Sequence, residues 1–175
     1  MPIENKQDLL LKSLKDYYKN SSCLKKLVNV LGKSSHISLR VIDYLCTNYG
    51  KHNDIVYYVG QKKTPFNLYL DYRAQLKAYS KLQFDPFKRH NRINIQVPTN
   101  VIKSGKLETT VAQLNFFKWA IDNKIIEFLE DPKNLKKIES NMNQNQGKQT
   151  VADKTKSVFR SSTKRHNLTV TVTFQ

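Results

Sequence analysis

The chain has 175 residues and carries 30 Lys or Arg against 14 Asp or Glu, a net charge of +16. That length suits one domain with a real core and is short for two. With only five glycines there is no glycine-rich phosphate loop, and apolar runs such as 9–11 are far too short to cross a bilayer.

The opening MPIENKQDLLLK meets charges at once, so a signal peptide and secretion are not expected. Residues 5–20 are predicted as a helix with either Leu10, Leu14, Tyr17 and Tyr18 or Leu11, Leu14 and Tyr18 on one face. Ser21 or Ser22 caps a second helix over 23–31, where Leu24, Leu27, Val28 and Leu31 form a stripe that stops at Gly32. Ser35 caps a third over 36–48, with Leu39, Ile42 and Leu45 inward and Gly50 as its stop. The segments 54–59 (DIVYYV) and 66–72 (FNLYLDY) are rich in β-formers and read as a hairpin with Lys62 and Lys63 at its tip.

Three helices followed by a hairpin is the order of a winged helix. In that scheme 36–48 would be the recognition helix, with His36, Ser38 and Arg40 near DNA and Lys62 and Lys63 on the wing. A plain helical layer packed on a sheet fits the same order. Pro86 in FDPF marks a turn, 92–97 alternates as a strand, and Thr109 or Thr110 starts a long amphipathic helix reaching about 129. A further helix resumes after Pro132, a polar stretch follows, and 168–174 (LTVTVTF) alternates as a strand. The expected fold is α+β, with N-terminal helices, a small mainly antiparallel sheet and one long amphipathic helix. Residues 1–140 plus 167–175 would form the domain, and 141–166 a flexible basic linker.

Charge is unevenly placed. Residues 61–106 hold ten basic and two acidic side chains, whereas 107–140 hold five and six. A genomic bias towards lysine would spread the charge evenly. Within 71–92, Arg73, Lys77, Lys81, Lys88, Arg89 and Arg92 lie among the rings of Tyr72, Tyr79, Phe84 and Phe87. Arg73, Lys77 and Lys81 recur every four residues and would stack on one helical face, while Ala74, Ala78 and Leu82 share another. Like charges at that spacing cost a few tenths of a kcal/mol, which argues against a role in helix stability alone. Most of the cations are Lys, suited to phosphate more than to reading guanine edges. The rings read as core in preference to base-stacking platforms.

Cys23 and Cys46 and the four scattered histidines show no metal-ligand spacing, so no metal or cofactor is expected. Asp54, Asp71 and Asp85 would be the carboxylates of a metal-dependent nuclease, yet their spacing follows no known motif.

The blocks SLRVIDYLCTNYGKHN (38–53), FNLYLDYRAQLKAYSKLQFDPFKRHNRI (66–93) and ETTVAQLNFFKWAIDNKIIEFLE (108–130) resemble a small basic protein family of nucleocytoplasmic large DNA viruses. That resemblance implies a viral origin, a place in the virion or infected cell, and a part in replication, transcription or packaging; it brings no catalytic residues. The expectation is a non-catalytic binder of DNA with low sequence specificity. Its contacts would be phosphates met by Arg73, Lys77, Lys81, Lys88, Arg89, Arg92, Arg40, Lys62 and Lys63. Other viral proteins, a second copy of the chain, or acidic partners of an adaptor docking through the helix 110–129 are the competing partners; a membrane is not.

Overall fold

A computed structural model describes residues 5–32, 34–87 and 91–145. Helix α1 spans Lys6–Tyr17 and α2 spans Ser21–Leu31. The cap of α2 is Asn20, whose side chain accepts from the Ser22 and Cys23 N–H groups, so Ser21 and Ser22 lie inside the first turn. Ser35 uses its hydroxyl to accept from the Ile37 N–H, and Ser38 caps α3, Leu39–Tyr44. The helix therefore begins three residues later than expected. It also does not stop at Gly50: a π-helical turn, Leu45–Tyr49, leads straight into α4, Gly50–Asn53, which ends at the left-handed Asp54. Gly50 serves packing, because a Cβ there would lie 2.9 Å from both the Leu45 carbonyl oxygen and Leu68 Cδ2.

Strands β1, Val56–Val59, and β2, Thr64–Asn67, form an antiparallel hairpin turned at Gly60–Lys63. The second strand is shorter than the sequence suggested. Asn67 caps a helix by accepting from the Leu70 N–H, and Leu68 and Tyr72, four apart, are both buried, so helical burial overrides the β-propensity of LYLDY. Helix α5 is Leu68–Phe84. Strand β3, Ile93–Gln96, pairs antiparallel with β4, Lys106–Thr109, a strand the sequence did not signal.

Of the two threonines expected to start the long helix, Thr110 caps α6, Val111–Asp122, by accepting from the Gln113 N–H. The helix predicted to run on to about 129 breaks at Lys124, which is left-handed (φ 59°), and α7, Ile125–Glu130, restarts behind it. Helix α8 covers 132–145 with Pro132 in its first turn, a position where the missing N–H costs nothing. It passes the boundary expected at 140; the rest of the basic linker and the strand at 168–174 lie outside the described residues.

The architecture is mixed helix and strand, and among the described residues the strands form two separate two-stranded antiparallel sheets where one small sheet was expected. At its centre is α6, with α1, α2, α5 and α7 packed around it. Phe84, Phe116, Phe117 and Leu114 are fully buried there. A winged helix is not confirmed. Of the expected recognition segment, His36, Ser38 and Arg40 are exposed, but from residue 41 to residue 50 none is, so the helix presents no continuous open face. Nor does the long helix offer an apolar docking face, because α6 is buried on nearly every side.

Candidate nucleic-acid interface

Helix α5 has two faces of different chemistry. Leu68 and Tyr72 are buried, with Leu76 and Tyr79 part-buried beside them, and together they seat the helix against α6. Asp71 reinforces the seat: the Trp119 indole N–H donates to its carboxylate at 2.6 Å. About 180° away, Leu70, Arg73, Ala74, Lys77 and Ala78 are exposed. The alanines expected on a separate face thus flank the cations on the solvent side.

The cationic row is not one straight helix. Ser80 has φ 61° and ψ 167°, a conformation favoured by glycine, which divides α5 and takes Lys81 out of the helical register of Arg73 and Lys77. Lys81 and Leu82 are both exposed beyond the break, Leu82 at 67%.

Among the described residues, Arg73, Lys77, Lys81, Arg40, Lys62 and Lys63 make no ion pair. Arg73 instead lies over the Tyr69 ring, 5.9 Å from its centroid, a cation–π contact that holds the guanidinium outward. Arg92 differs: its guanidinium donates to Glu108 at 2.8 Å across the β3–β4 hairpin, which neutralises it locally. Lys62 and Lys63 are exposed at the tip of β1–β2, which runs directly into α5. Arg40 is exposed in the first turn of α3, on a separate element. Lys88 and Arg89 lie outside the described residues. The structure brings Arg73 and Lys77 onto one surface, then, and leaves Arg40 apart and Arg92 paired.

Two features were not read from the sequence. Lys6 of α1 shares with Lys77 a hollow of about 320 Å³ at the start of α6, where free helix N–H groups add positive potential. Tyr58 is 70% exposed on the outer face of β1, while its neighbour Tyr57 turns inward, donates to the Asn123 carbonyl and stacks on Phe128. Alternation along a strand turns one of two adjacent tyrosines outward, and the packing of Tyr57 against α7 decides that it is Tyr58.

The aromatic rings of the basic segment are mainly core. Tyr72 and Phe84 are buried among Trp119 and Phe116, and only Phe87 is substantially exposed. The three carboxylates of the nuclease reading are dispersed in role. Asp71 holds Trp119, Asp85 accepts from the Phe87 N–H at 2.9 Å, and Asp54 ends α4. Among the described residues no group of three or more His, Cys, Asp or Glu is placed to hold a metal ion, and no helix is long and apolar enough to cross a membrane. Cys23 and Cys46 are both free thiols; Cys46 is fully buried, which pushes its thiol pKa up.

Comparison with known proteins supports the viral resemblance at the level of family. The chain is 37% identical over 119 residues to an uncharacterised protein of Acanthamoeba polyphaga mimivirus, a match covering 66% of this chain and 45% of the relative. The matched stretch thus spans less than half the length of that curated relative. No solved structure matches the chain. The model of a family of unknown function, DUF7197, matches residues 3–171, and the chain belongs to that family.

Proposed function

We propose that this protein binds DNA through the phosphate backbone, without catalysis and with little sequence preference. Its place would be in the replication, transcription or packaging of a large DNA virus, in the virion or the infected cell. The observation that carries this reading is the outer face of α5. Arg73 and Lys77 stand exposed and without ion pairs among the described residues, on a helix whose opposite face is locked to the core. Lys81 beyond the Ser80 break and Lys62 and Lys63 on the hairpin tip supply further contacts. Lysine-rich, unpaired charge of this kind suits phosphates.

The test is the anisotropy of a dye-labelled duplex titrated with the full chain over a salt series. If Arg73, Lys77, Lys81, Lys62 and Lys63 each neutralise one phosphate, log Kd should change with log salt with a slope of about 4 to 5. Absence of binding at low salt overturns the proposal.

A second reading has an observation of its own. Leu70 (65% exposed) and Leu82 (67% exposed) flank the cations, and apolar side chains beside lysines suit an acidic protein surface better than a sugar-phosphate chain. An adaptor role in the virion or transcription machinery would show binding to acidic polypeptide with a shallower salt slope, weakened by Leu70→Ser and Leu82→Ser.

A further inference from the structure

Val97 donates its N–H to the Gly105 carbonyl at 3.0 Å, one step beyond the last β3–β4 residue pair. Hydrogen-bonded pairs in an antiparallel ladder recur at every second residue, so Ile93 and Ile95 also address β4. The N–H and C=O groups of Asn94 and Gln96 therefore point to the opposite edge of β3, where no other backbone group of the described residues meets them. Such an edge is a template for one more strand. The edges of β2 and β4 are blunted. Pro65 removes an N–H from β2, and on β4 the Ser104 hydroxyl donates to the Lys106 carbonyl at 3.0 Å and accepts from the Lys106 N–H at 3.4 Å.

A hollow of about 680 Å³ lies between α1, α2 and β3. Asn94, Ile95 and Gln96 all border it, and since consecutive residues alternate between the two faces of a strand, it is the backbone edge that meets the hollow. Leu24 and Leu114 form its floor, with Pro98 and Val101 beside them. The Tyr18 hydroxyl donates to the Leu114 carbonyl at 2.8 Å and ties α1 to α6 there. Buried Ile95 marks the inward side of β3, and exposed Asn94 and Gln96 mark the outward side. A strand laid along this edge needs the same period, apolar beside Ile95 and over the floor, polar beside Asn94 and Gln96. Residues 168–174, LTVTVTF, have it: Leu168, Val170, Val172 and Phe174 fall on one side and Thr169, Thr171 and Thr173 on the other.

We infer that residues 168–174 pair with the free edge of β3, extending the β3–β4 sheet to three strands and covering the hollow with their apolar side. The 22 residues 146–167 can span up to about 70 Å, against a diameter on the order of 40 Å for a domain of this size, so the segment can reach β3 from the end of α8. Being tethered, it also competes at an effective concentration that an outside strand must exceed. The model of the family continues to residue 171, into this segment. Lys15, Lys19 and Lys25 border the hollow and disfavour a second copy, whose own three lysines would meet them edge to edge; 168–174 carries no charge for them to repel. No residue of α5 lines the hollow, which is thus independent of the surface proposed for DNA.

The test is nuclear magnetic resonance on the isotope-labelled full-length chain. Overhauser contacts between the backbone of Asn94 or Gln96 and residues 168–174 are expected, with slow exchange of both amides. Val170→Asp with Val172→Asp should erase the contacts and speed exchange at Asn94 and Gln96 by about tenfold or more, while Ile95, bonded to β4, stays slow. Thr171→Asp, on the outward side, should leave both amides slow. Rapid exchange of both amides in the unmodified chain overturns the inference, as does protection that survives the double valine variant. An equal effect of Thr171→Asp removes the inward and outward register and the proposal with it. Contacts from 168–174 to Val56 and Tyr58 would put the segment on β1 and overturn the assignment to β3. In a mixture of separately labelled chains, contacts that run only between copies would hand the edge to a second molecule and sink the intramolecular pairing.

Discussion

Helices α5 and α6 lie against each other, yet they use their sequences in opposite ways. On α6, Leu114, Phe116, Phe117 and Trp119 are all buried and Lys118 is tied to Asp122 at 2.6 Å, so almost every side chain serves the fold. On α5, one face holds Tyr72 and Leu68 in that same core while the other carries Arg73 and Lys77 into water with no ion pair among the described residues. Burial fixes what α6 must be; nothing in the packing requires the cations of α5. Charge that stability does not need is the kind that binding can use.

Mutations sharpen that contrast in a graded way. Phe116→Ala, at a fully buried position ringed by Phe84, Phe117 and Trp119, should destabilise by about 3–5 kcal/mol in urea unfolding. A loss below 1 kcal/mol would mean that α6 is not the centre of the core. Next comes the joint between the helices: Asp71→Ala strips the Trp119 N–H of its acceptor and should cost about 1–3 kcal/mol, while Asp71→Asn, which keeps an acceptor, should recover much of it.

A smaller effect is expected at Asp43. Burial, reinforced by the charge of Asp85, raises its carboxyl from 3.8 to about 6. The folded protein therefore holds a proton that the unfolded chain releases near pH 4. Stability from this group is fully present below that pH, falls as pH rises towards 6, and stays lower at neutrality. Asp43→Asn should flatten that slope and stabilise the chain at pH 7 by about 1 kcal/mol, after allowance for solvent screening of a part-buried side chain. An unchanged pH profile of the melting temperature would dismiss it. Smallest in stability is Arg73→Glu with Lys77→Glu, within about 0.5 kcal/mol of the parent. If that double variant unfolds the chain instead, the outer face of α5 is structural and the contrast with α6 fails.

The same contrast explains what could be read in advance. The cap Thr110 and the burial of Leu114 and Phe117 follow from local pattern, and the exposure of Arg73 and Lys77 follows from their spacing on a helix. What escaped depends on contacts distant in sequence or on single dihedrals. Arg92 looked free until β4 brought Glu108 beside it. The turn at Lys124 and the break at Ser80 carry no glycine or proline to announce them. Asn67 ends a strand and caps a helix at once, and only the joint burial of Leu68 and Tyr72 decides between the two.

The hydrogen bond from Trp119 to Asp71 has one more consequence. Trp119 is the chain's single tryptophan, it is buried, and its indole reaches from α6 into the foot of the basic helix. The protein therefore contains its own optical gauge, placed at the joint between scaffold and proposed binding surface. A ligand that merely rests on the outer face of α5 leaves the emission of that indole in place, whereas one that levers the helix from its seat lets in water and shifts it to the red. Rigid docking and coupled rearrangement are thus distinguishable in the unmodified chain.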